Sequence, residues 1–402
     1  MDVYLLDWAN LLLRWLHVIT AIAWVGSSFY FVWLDNHLLK PQDPELQAKG
    51  VSGALWAVHG GGFYHPQKYL GAPRKLDSEL HWFYWESYST WLSGFALFTV
   101  MYLWNAATFL VDKSVHDWSG LAAGSAALGF LVVFWLVYDL ICRTLGQRRH
   151  GDALVGAAVA LVIVLATWAA CQLFAGRAAF LLVGAMIATA MSANVFFWII
   201  PGQRKVVAAM TAGLPVDPVH GQRGKQRSVH NTYFTLPVLV AMLSNHYGWL
   251  YQGHWNWLVL VLLMLAGALI RHFFVARHKA HVQGVSPPWG WAAAGIAPLL
   301  VLAVMLKPPA PAPQAAGAAP QAPPAFAQVQ QVIQQRCLMC HNAQIQQKNV
   351  ALHTPELVGR QALALYQQVV VLKLMPLNNA TQMTDAERDL IRRWYGAGAP
   401  LQ

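Results

Sequence analysis

Eight long apolar segments dominate this sequence and constrain its fold more than any other feature. Of its 402 residues, 57% are hydrophobic and only 11% are charged. About 20 consecutive apolar residues are enough for a helix to cross the hydrocarbon core of a bilayer. The segments are 10–34, 83–108, 119–142, 153–174, 178–201, 232–247, 255–276 and 288–306. Because backbone polar groups must be satisfied inside the bilayer, the sequence predicts an all-α, polytopic bundle of about eight membrane-spanning helices.

Lysine and arginine are distributed unevenly among the loops between these segments. With the N-terminus outside, the outer loops hold only Lys113 and Arg177, and the remaining loop cations are cytoplasmic. The cytoplasmic set is Lys40, Lys49, Lys68, Arg74, Lys75, Arg143, Arg148, Arg149, Arg204, Lys205, Arg223, Lys225, Arg227, Arg277 and Lys279. The positive-inside rule then puts both chain termini outside. The net charge of +10 is mostly loop charge facing membrane lipid, so we expect no nucleic-acid binding.

Near the C-terminus, the run Cys337-Leu338-Met339-Cys340-His341 is the attachment signature of a c-type haem. The two thiols bond to the haem vinyl groups, and the histidine is the proximal iron ligand. A zinc site would need a second Cys/His pair at a suitable spacing, and a reactive CxxC pair leaves the histidine unexplained. The sequence therefore predicts covalent haem c on the outer side of the membrane, with electron transfer as part of the function.

The sixth iron ligand in small cytochromes c is usually a downstream methionine, and the sequence offers two. Met375 is followed by Pro376, which stiffens its loop, and Met-Pro is typical of the ligand loop in class I cytochromes c. Met383 comes just before residues 384–387, which have the pattern of a capping box, where packing on the helix is the commoner use. We predict His341 and Met375 as the iron ligands, with Met383 as the alternative.

The C-terminal region has the size and pattern of a small haem domain. Apolar residues recur at helical spacing on both sides of the attachment motif. They are Phe326, Val329, Val332 and Ile333 before it, and Leu390, Ile391, Trp394 and Tyr395 after it. Residues 307–326 contain seven Pro and eight Ala, which is typical of a semi-rigid linker. We predict a membrane domain at 1–306, a linker at 307–326 and a class I cytochrome c domain at 327–402.

Polar side chains inside the predicted spans gather in their cytoplasmic third, where each is costly and therefore a functional candidate. They are Ser27, Ser28, Glu86, Ser87, Ser89, Thr90, Asp139, Asn194, His230, Asn231, Thr232, Arg271 and His272. Such a cluster favours a polar cavity open to the cytoplasm. Asp139, Arg271 and His272 are expected instead to reach water at helix ends. Glu86 lies deeper and is a candidate for substrate or proton handling.

The outer half of the predicted spans holds fewer polar side chains. His17, in the first span, is a candidate axial ligand for a b-type haem, and the alternative is a structural histidine held by hydrogen bonds. His246, at the end of the sixth span, is a weaker candidate because solvation at the interface explains it. The Gly- and His-rich segment 58–66 is expected to be a turn-rich surface loop and not a metal site.

Four stretches of the sequence are distinctive: residues 14–30 (RWLHVITAIAWVGSSFY), 59–64 (HGGGFY), 81–86 (HWFYWE) and 375–384 (MPLNNATQMT). Together they resemble the bacterial membrane-bound urate oxidase (urate hydroxylase) with a fused cytochrome c domain. The resemblance covers essentially the whole chain. The first span is also similar to small haem-binding membrane proteins of the protoporphyrinogen oxidase type, which share a His seven residues before a Trp, and this similarity favours haem at His17.

The resemblance implies hydroxylation of urate at C5 to 5-hydroxyisourate, with oxygen from water and two electrons passed through haem c to the respiratory chain. It implies residence in the bacterial inner membrane with a periplasmic cytochrome domain, and a periplasmic cytochrome c or terminal oxidase as electron acceptor. Water needs a general base, and Glu86 and His230 are the candidates by depth. Because electrons must cross about 30 Å of hydrocarbon, an intermediate carrier such as haem b is expected in the bundle.

Two other functions are compatible with the residues. The protein could oxidise quinol and pass electrons to a soluble cytochrome c without any purine substrate. It could also be a transporter with a redox-sensing domain, although the sequence has no visible internal repeat of the kind many transporters show. Reduction of the c-type haem by urate, as opposed to quinol analogues, separates the first alternative from urate oxidation.

Overall fold

The structure is a computed structural model that describes residues 3–73, 75–307 and 324–401. Most of the predicted linker, at 308–323, lies outside the described residues. Helices dominate the rest, as predicted. Up to Met305 they are α1 (Val3–His37), α2 (Pro44–Ala48), α3 (Trp85–Phe98), α4 (Ala106–Phe109), α5 (Gly120–Leu145), α6 (Gly151–Leu173), α7 (Gly176–Asn194), α8 (Ile200–Thr211), α9 (Pro218–Leu243), α10 (Asn256–Val282) and α11 (Trp289–Met305).

Among the described residues, five helices are long and apolar enough to cross a membrane. They are Tyr4–His37, Gly120–Leu145, Gly151–Leu173, Gly176–Thr211 and Asn256–Val282, the fourth combining α7, a π-helical turn and α8. The other three predicted segments are also helical, in α3 with its π-helical continuation, α9 and α11. Helix α9 begins well before residue 232, because Asp217 caps it and Pro218 fits its first turn.

Helix α7 lies at the centre of the bundle, and α1 lies at its periphery. Leu182, Met186 and Ile187 of α7 are completely buried, and the helix packs against α3, α5, α6 and α9. Trp15 and Ile22 of α1 are 64% and 67% exposed, although α1 packs along α3 and α10. Large apolar side chains exposed along a whole helix are the expected pattern for a surface that faces lipid.

Small residues bring neighbouring helices into close contact, as is usual inside membranes. A Cβ atom at Gly184 of α7 would lie 2.9 Å from the Cβ of Ala241 in α9. A Cβ at Gly295 of α11 would lie 2.8 Å from the side chain of Ile270 in α10. At both positions a larger residue would push the helices apart.

Four short strands between α1 and α3 depart from the all-α prediction. They are β1 (Val51–Ala54), β2 (Ala57–His59), β3 (Gly62–Tyr64) and β4 (Gln67–Tyr69), paired antiparallel as β1 with β4 and β2 with β3. Gly60 and Gly61 have φ of 59° and 78°, which suits the two-residue turn of a hairpin. The segment expected to be a turn-rich surface loop is thus an exposed hairpin, with Phe63 80% exposed.

The C-terminal region folds as a separate helical unit with its own small core. Its helices are α12 (Phe326–Arg336), α13 (Pro355–Arg360), α14 (Ala362–Leu365), which continues as a π-helical turn, and α15 (Asp385–Gly396). Val329, Ile333, Ile391 and Trp394 are essentially fully buried, so both predicted apolar stripes face the core. Thr384 and Glu387 form the predicted capping box at the start of α15.

The C-terminal unit rests on one end of the bundle. Its contacts there involve Asp7 near the start of α1, Thr108 and Phe109 in α4, and Gln252 before α10. We call this the domain end. The segments at the other end, including 143–150 and 201–217, carry most of the lysine and arginine residues of the bundle, and we call this the basic end.

Candidate functional site

A buried ion pair lies inside the bundle toward the basic end. The Arg227 guanidinium of α9 donates to a carboxylate oxygen of Asp139 in α5 over 2.7 Å, and the two side chains are 3% and 12% exposed. Trp198 Nε1 donates to the same carboxylate at 2.8 Å, and Arg143 approaches its other oxygen at 2.9 Å. A buried charge is tolerated when it is paired and hydrogen bonded, and Asp139 meets both conditions.

Asn194 of α7 joins this pair to a wider hydrogen-bond network. Its amide nitrogen donates to the Tyr138 hydroxyl and to Asn231 Oδ1, both at 2.9 Å, and its oxygen accepts from Arg227 at 3.3 Å. Asn231 in turn donates to the carbonyl of Met191 at 3.0 Å. Every polar group of this cluster therefore has a partner on another helix, which fixes the relative positions of α5, α7 and α9.

The network reaches His230 through Tyr138. The tyrosine hydroxyl lies 2.8 Å from Nδ1 of His230, while the other ring nitrogen makes no hydrogen bond within the described part of the chain. If Nδ1 carries the proton and donates to Tyr138, Nε2 is free to accept one. This is the tautomer that a general base requires, and the hydrogen bond with Tyr138 holds the ring in one orientation.

His230 lines a cavity of about 1080 Å³ between α5, α6, α9 and α10. The cavity wall carries five cations and one carboxylate: Arg143, Arg148, Arg223, Lys225, Arg227 and Asp152. Farther in, the lining becomes apolar, with Val159, Ile163 and Met264 among its residues. A small planar anion fits such a space, because the basic groups attract its charge and the apolar wall excludes water.

Glu86 and His230, the two predicted base candidates, are not brought together in one cavity. Glu86 stands in the first turn of α3, and its Oε2 is buried without a hydrogen-bond partner in the part of the chain that the structure describes. A smaller cavity of about 460 Å³ is lined by its neighbours Tyr84 and Tyr88 and by Arg204. The structure thus separates a carboxyl beside an aromatic cleft from a histidine beside a basic cavity.

Asp139 and Arg271 do not reach water at helix ends, contrary to expectation. Helix α5 continues to Leu145 and α10 to Val282, so both residues lie more than a turn inside. Arg271 is 5% exposed, its Cζ lies 3.7 Å from the ring centre of Phe29, and its Nε and one terminal nitrogen have no partner among the described residues. The aromatic ring offsets part of the cost of burying this cation.

Arg227 and Tyr138 were not singled out from the sequence, although a signal for Arg227 exists. Residues 227, 230, 231 and 234 follow the i, i+3, i+4, i+7 spacing of one helix face. That spacing becomes visible only when the helix is known to begin at Pro218 and not near residue 232. Tyr138 has no such signal, because an aromatic residue in an apolar helix is normally core.

His17 is held against α3 by its Nδ1 atom. Nδ1 lies 3.1 Å from the carbonyl oxygen of Thr90 and 3.2 Å from the hydroxyl of Ser93, and the ring packs on Gly94. A histidine that donates through Nδ1 to a carbonyl presents Nε2 as a possible metal ligand. His246, at the end of a 3₁₀ turn, is exposed. Within the described residues, no three His, Cys, Asp or Glu side chains group to hold a metal ion.

The attachment motif is arranged in a way that fits a c-type haem. Cys337 and Cys340 are free thiols, and His341 Nδ1 lies 3.0 Å from the Val350 carbonyl oxygen, so Nε2 remains free as a ligand. Burial, with a smaller contribution from Cys340, raises the pKa of the Cys337 thiol to about 12. Cys337 is buried whereas Cys340 is exposed, so the motif lies at the surface of the C-terminal unit.

The two methionine candidates differ in their surroundings. Met383 is 3% exposed in the core of the C-terminal unit, and its backbone N–H is held by Asn379. Met375 lies at the edge of that core, where Arg388 donates to its carbonyl oxygen at 2.8 Å. A residue at the edge is better placed to bind a group added after folding than one that already fills the core.

Comparison with known proteins gives one match. Residues 3–307 match the family model described as urate oxidase N-terminal, which covers the whole bundle. Neither a curated protein nor a solved structure matches the chain.

Proposed function

The chain belongs to the urate oxidase N-terminal family, and we propose that it is a membrane-bound enzyme that hydroxylates urate. The reaction consumes urate and water and yields 5-hydroxyisourate, two protons and two electrons. A bond forms between C5 of the purine and the oxygen of water, and the two electrons leave to a one-electron acceptor. The residues therefore have to bind a purine anion, remove a proton from water and provide an exit for electrons.

The observation that carries the proposal is the basic cavity lined by His230 and Arg227. Urate is an anion at neutral pH, and five cations line this cavity against one carboxylate. These cations lie toward the basic end, at the end of α5, in the loop after it and in the first turns of α9, so the cavity draws an anion from the cytoplasmic side under the proposed topology. Arg227 and Arg143 are both paired with the Asp139 carboxylate, so the net positive charge of the cavity comes chiefly from Arg148, Arg223 and Lys225.

We assign the general base to His230 and keep Glu86 as its competitor. His230 combines contact with the cavity and a fixed orientation through Tyr138. Positioning and proton removal by one oriented side chain typically accelerate a reaction by about 10²–10⁴-fold. Glu86 lacks a hydrogen-bond partner among the described residues, and its role would require urate to enter the aromatic cleft beside Arg204.

For the electron exit we propose a class I cytochrome c domain at 327–402, with haem c held by Cys337, Cys340, His341 and Met375. When bound, haem c would supply a one-electron relay to a periplasmic cytochrome c or terminal oxidase of the respiratory chain. We further propose that His17 binds a non-covalent haem b inside the bundle. The membrane domain would make about eight spans of the inner membrane, with the C-terminal domain in the periplasm.

The topology has support in the placement of the C-terminal unit. It rests on the end of the bundle whose loops hold only Lys113 and Arg177, which the positive-inside rule assigns to the outside. The attachment of c-type haem also requires an oxidising, external compartment. Charge distribution, contact and haem chemistry therefore agree on one orientation.

The test is anaerobic addition of urate to the purified full-length protein in detergent. We expect the absorption bands of reduced c-type haem to appear, 5-hydroxyisourate to form, and no hydrogen peroxide to accumulate when the experiment is repeated in air. Dithionite in a parallel sample gives the full extent of reduction. If a quinol analogue reduces the haem and urate does not, the protein is a quinol-oxidising conduit and the proposal fails.

A further inference from the structure

The C-terminal unit contacts the bundle mainly through one short segment, residues 372–379, which we call the docking segment. The amide of Asn378 donates to the carbonyl oxygens of Thr108 and Phe109, at 2.8 Å and 3.1 Å. From the bundle side, Gln252 Nε2 donates to the carbonyl oxygen of Leu372 at 2.6 Å. These bonds fasten one end of the segment to helix α4 and the other to the loop before α10, both at the domain end.

Between these hydrogen bonds, the docking segment and the bundle make a close-packed apolar contact. Leu374, although it belongs to the C-terminal unit, packs against the core of the bundle. Opposite it stands Gly248, where a Cβ atom would lie 2.7 Å from Leu374 Cδ2 and 3.0 Å from the Leu372 carbonyl oxygen. A side chain at position 248 would therefore hold the docking segment off the bundle.

The docking segment includes Met375, whose position is fixed from within the C-terminal unit. Arg388, which is 8% exposed, donates to the carbonyl oxygens of Met375 and Val369, at 2.8 Å and 2.6 Å. Leu374 contacts the bundle, and the next residue is the predicted iron ligand. The contact with the bundle and the predicted ligand loop are thus the same piece of chain.

We propose that the C-terminal domain is docked in cis, with residues 372–379 as the face through which it receives electrons from the bundle. The docking rests on the contacts alone, whereas electron transfer through this face rests on the proposed function. In the opposite arrangement, a freely tethered domain meets its electron donor by diffusion. The contacts of Gly248 and Asn378 would then have no role in electron transfer. Docking leaves Met339, 61% exposed beside the attachment cysteines, facing solvent.

The interface can be weakened by single substitutions because it is not a continuous apolar core. Beside the docking segment lies a cavity of about 530 Å³ lined by both units, with Arg177, Tyr251 and Lys373 among its residues. A further direct contact is an exposed ion pair between Lys348 and Asp7, and such pairs contribute little. The docking segment is therefore the part to test.

The docking test uses the full-length protein with a protease recognition sequence inserted in the linker, between residues 308 and 323. After haem attachment and membrane insertion, the linker is cleaved, the membranes are sedimented, and haem is measured in pellet and supernatant. We expect the cleaved domain to stay with the membranes. Gly248→Leu should release it, whereas Gly253→Leu, in the same loop but with open space at its Cβ position, should retain it.

A compensating substitution separates docking from local misfolding. Leu374→Ala removes the side chain that Gly248→Leu meets, so the double variant should regain at least part of the retention that the single variant loses. Release of the domain from the wild-type membranes, or equal retention in Gly248→Leu and Gly253→Leu, overturns the proposal. An unchanged haem spectrum in each variant confirms that the domain itself is folded.

The electron step is measured separately on the uncleaved proteins. Gly248→Leu should slow reduction of the haem by urate while leaving its reduction by ascorbate with a small mediator unchanged. If urate reduces no variant, including the wild type, the proposed function fails while the retention result still decides docking. If urate reduces Gly248→Leu as fast as the wild type, the docking segment is not the electron entry.

Discussion

The hydroxyl of Tyr138 lies 2.8 Å from Nδ1 of His230 and also accepts a hydrogen bond from Asn194. Tyr138 belongs to α5 and His230 to α9, so the contact joins two helices across the wall of the basic cavity. Because Asn194 also binds Arg227, the same network positions the histidine and anchors the buried cation. A substitution at Tyr138 should therefore mainly affect the orientation of His230, whereas a substitution in the Arg227–Asp139 pair should mainly affect the stability of the folded protein.

Tyr138→Phe removes the hydroxyl and keeps the ring. Because the Tyr138 hydroxyl orients the His230 ring, turnover should fall by about tenfold, which corresponds to the loss of one hydrogen bond of roughly 1.4 kcal/mol, while KM changes little. The measurement is urate turnover across pH, because loss of the hydrogen bond to the imidazole should also move the pH profile. Thr167→Val, a similar hydroxyl removal in α6 bonded only to its own helix, is the matched control and should keep the wild-type profile.

His230→Gln and Glu86→Gln distinguish the two candidate bases. Each glutamine keeps a polar side chain but cannot take up a proton near neutral pH. We expect His230→Gln to lower turnover by about 10²–10⁴-fold and Glu86→Gln to leave it within a few-fold of wild type. Haem content and urate binding should stay normal in both. The reverse pattern would transfer the base to Glu86 and the substrate to the aromatic cleft beside Arg204.

Asp139→Asn tests the buried ion pair. The substitution leaves the Arg227 guanidinium buried without its carboxylate, and removing one partner of such a pair typically costs about 3–5 kcal/mol. The thermal unfolding midpoint of the purified protein should drop markedly. Arg143 is the second cation paired with Asp139, and its side chain is 55% exposed, so Arg143→Ala should cost no more than about 1 kcal/mol. Equal losses in the two variants would contradict the assignment of Arg227 as the buried partner.

The sequence predicted the helical architecture well because hydrophobic length is read directly from residues. Each of the eight apolar segments is helical in the structure, and both apolar stripes of the C-terminal unit face its core. The capping box at Thr384 was visible because it depends only on residues three apart. Features set by local sequence are thus accessible without a structure.

Features set by contacts between distant residues were not accessible. The pairing of Arg227 with Asp139 joins positions 88 apart, and nothing in either neighbourhood indicates it. Asp139 and Arg271 were expected to reach water because the apolar segments around them end at 142 and 276, whereas the helices continue to Leu145 and Val282. The hairpin at 57–64 was missed because its strands are only three residues long.

Met375→Ala and Met383→Ala test the sixth iron ligand. Met375→Ala should remove the weak sulfur-to-iron absorption band of the oxidised haem and open the iron to added ligands such as cyanide. Met383 fills the core, so Met383→Ala should keep the band but destabilise the domain by about 2–5 kcal/mol, the usual cost of such a cavity. Loss of the band in Met383→Ala alone would reverse the assignment.

The last prediction concerns His17 and a second haem. Its Nδ1 is occupied by the Thr90 carbonyl and the Ser93 hydroxyl, an arrangement that orients the ring and presents Nε2. Acid-acetone extraction of the purified protein should release haem b into the organic phase while haem c stays bound to Cys337 and Cys340. His17→Ala should abolish the extractable haem and keep the covalent one. His246→Ala, at an exposed histidine, should keep both. Because the hydrogen bonds of His17 serve a structural role equally well, wild-type protein that oxidises urate without any extractable haem would establish that simpler role.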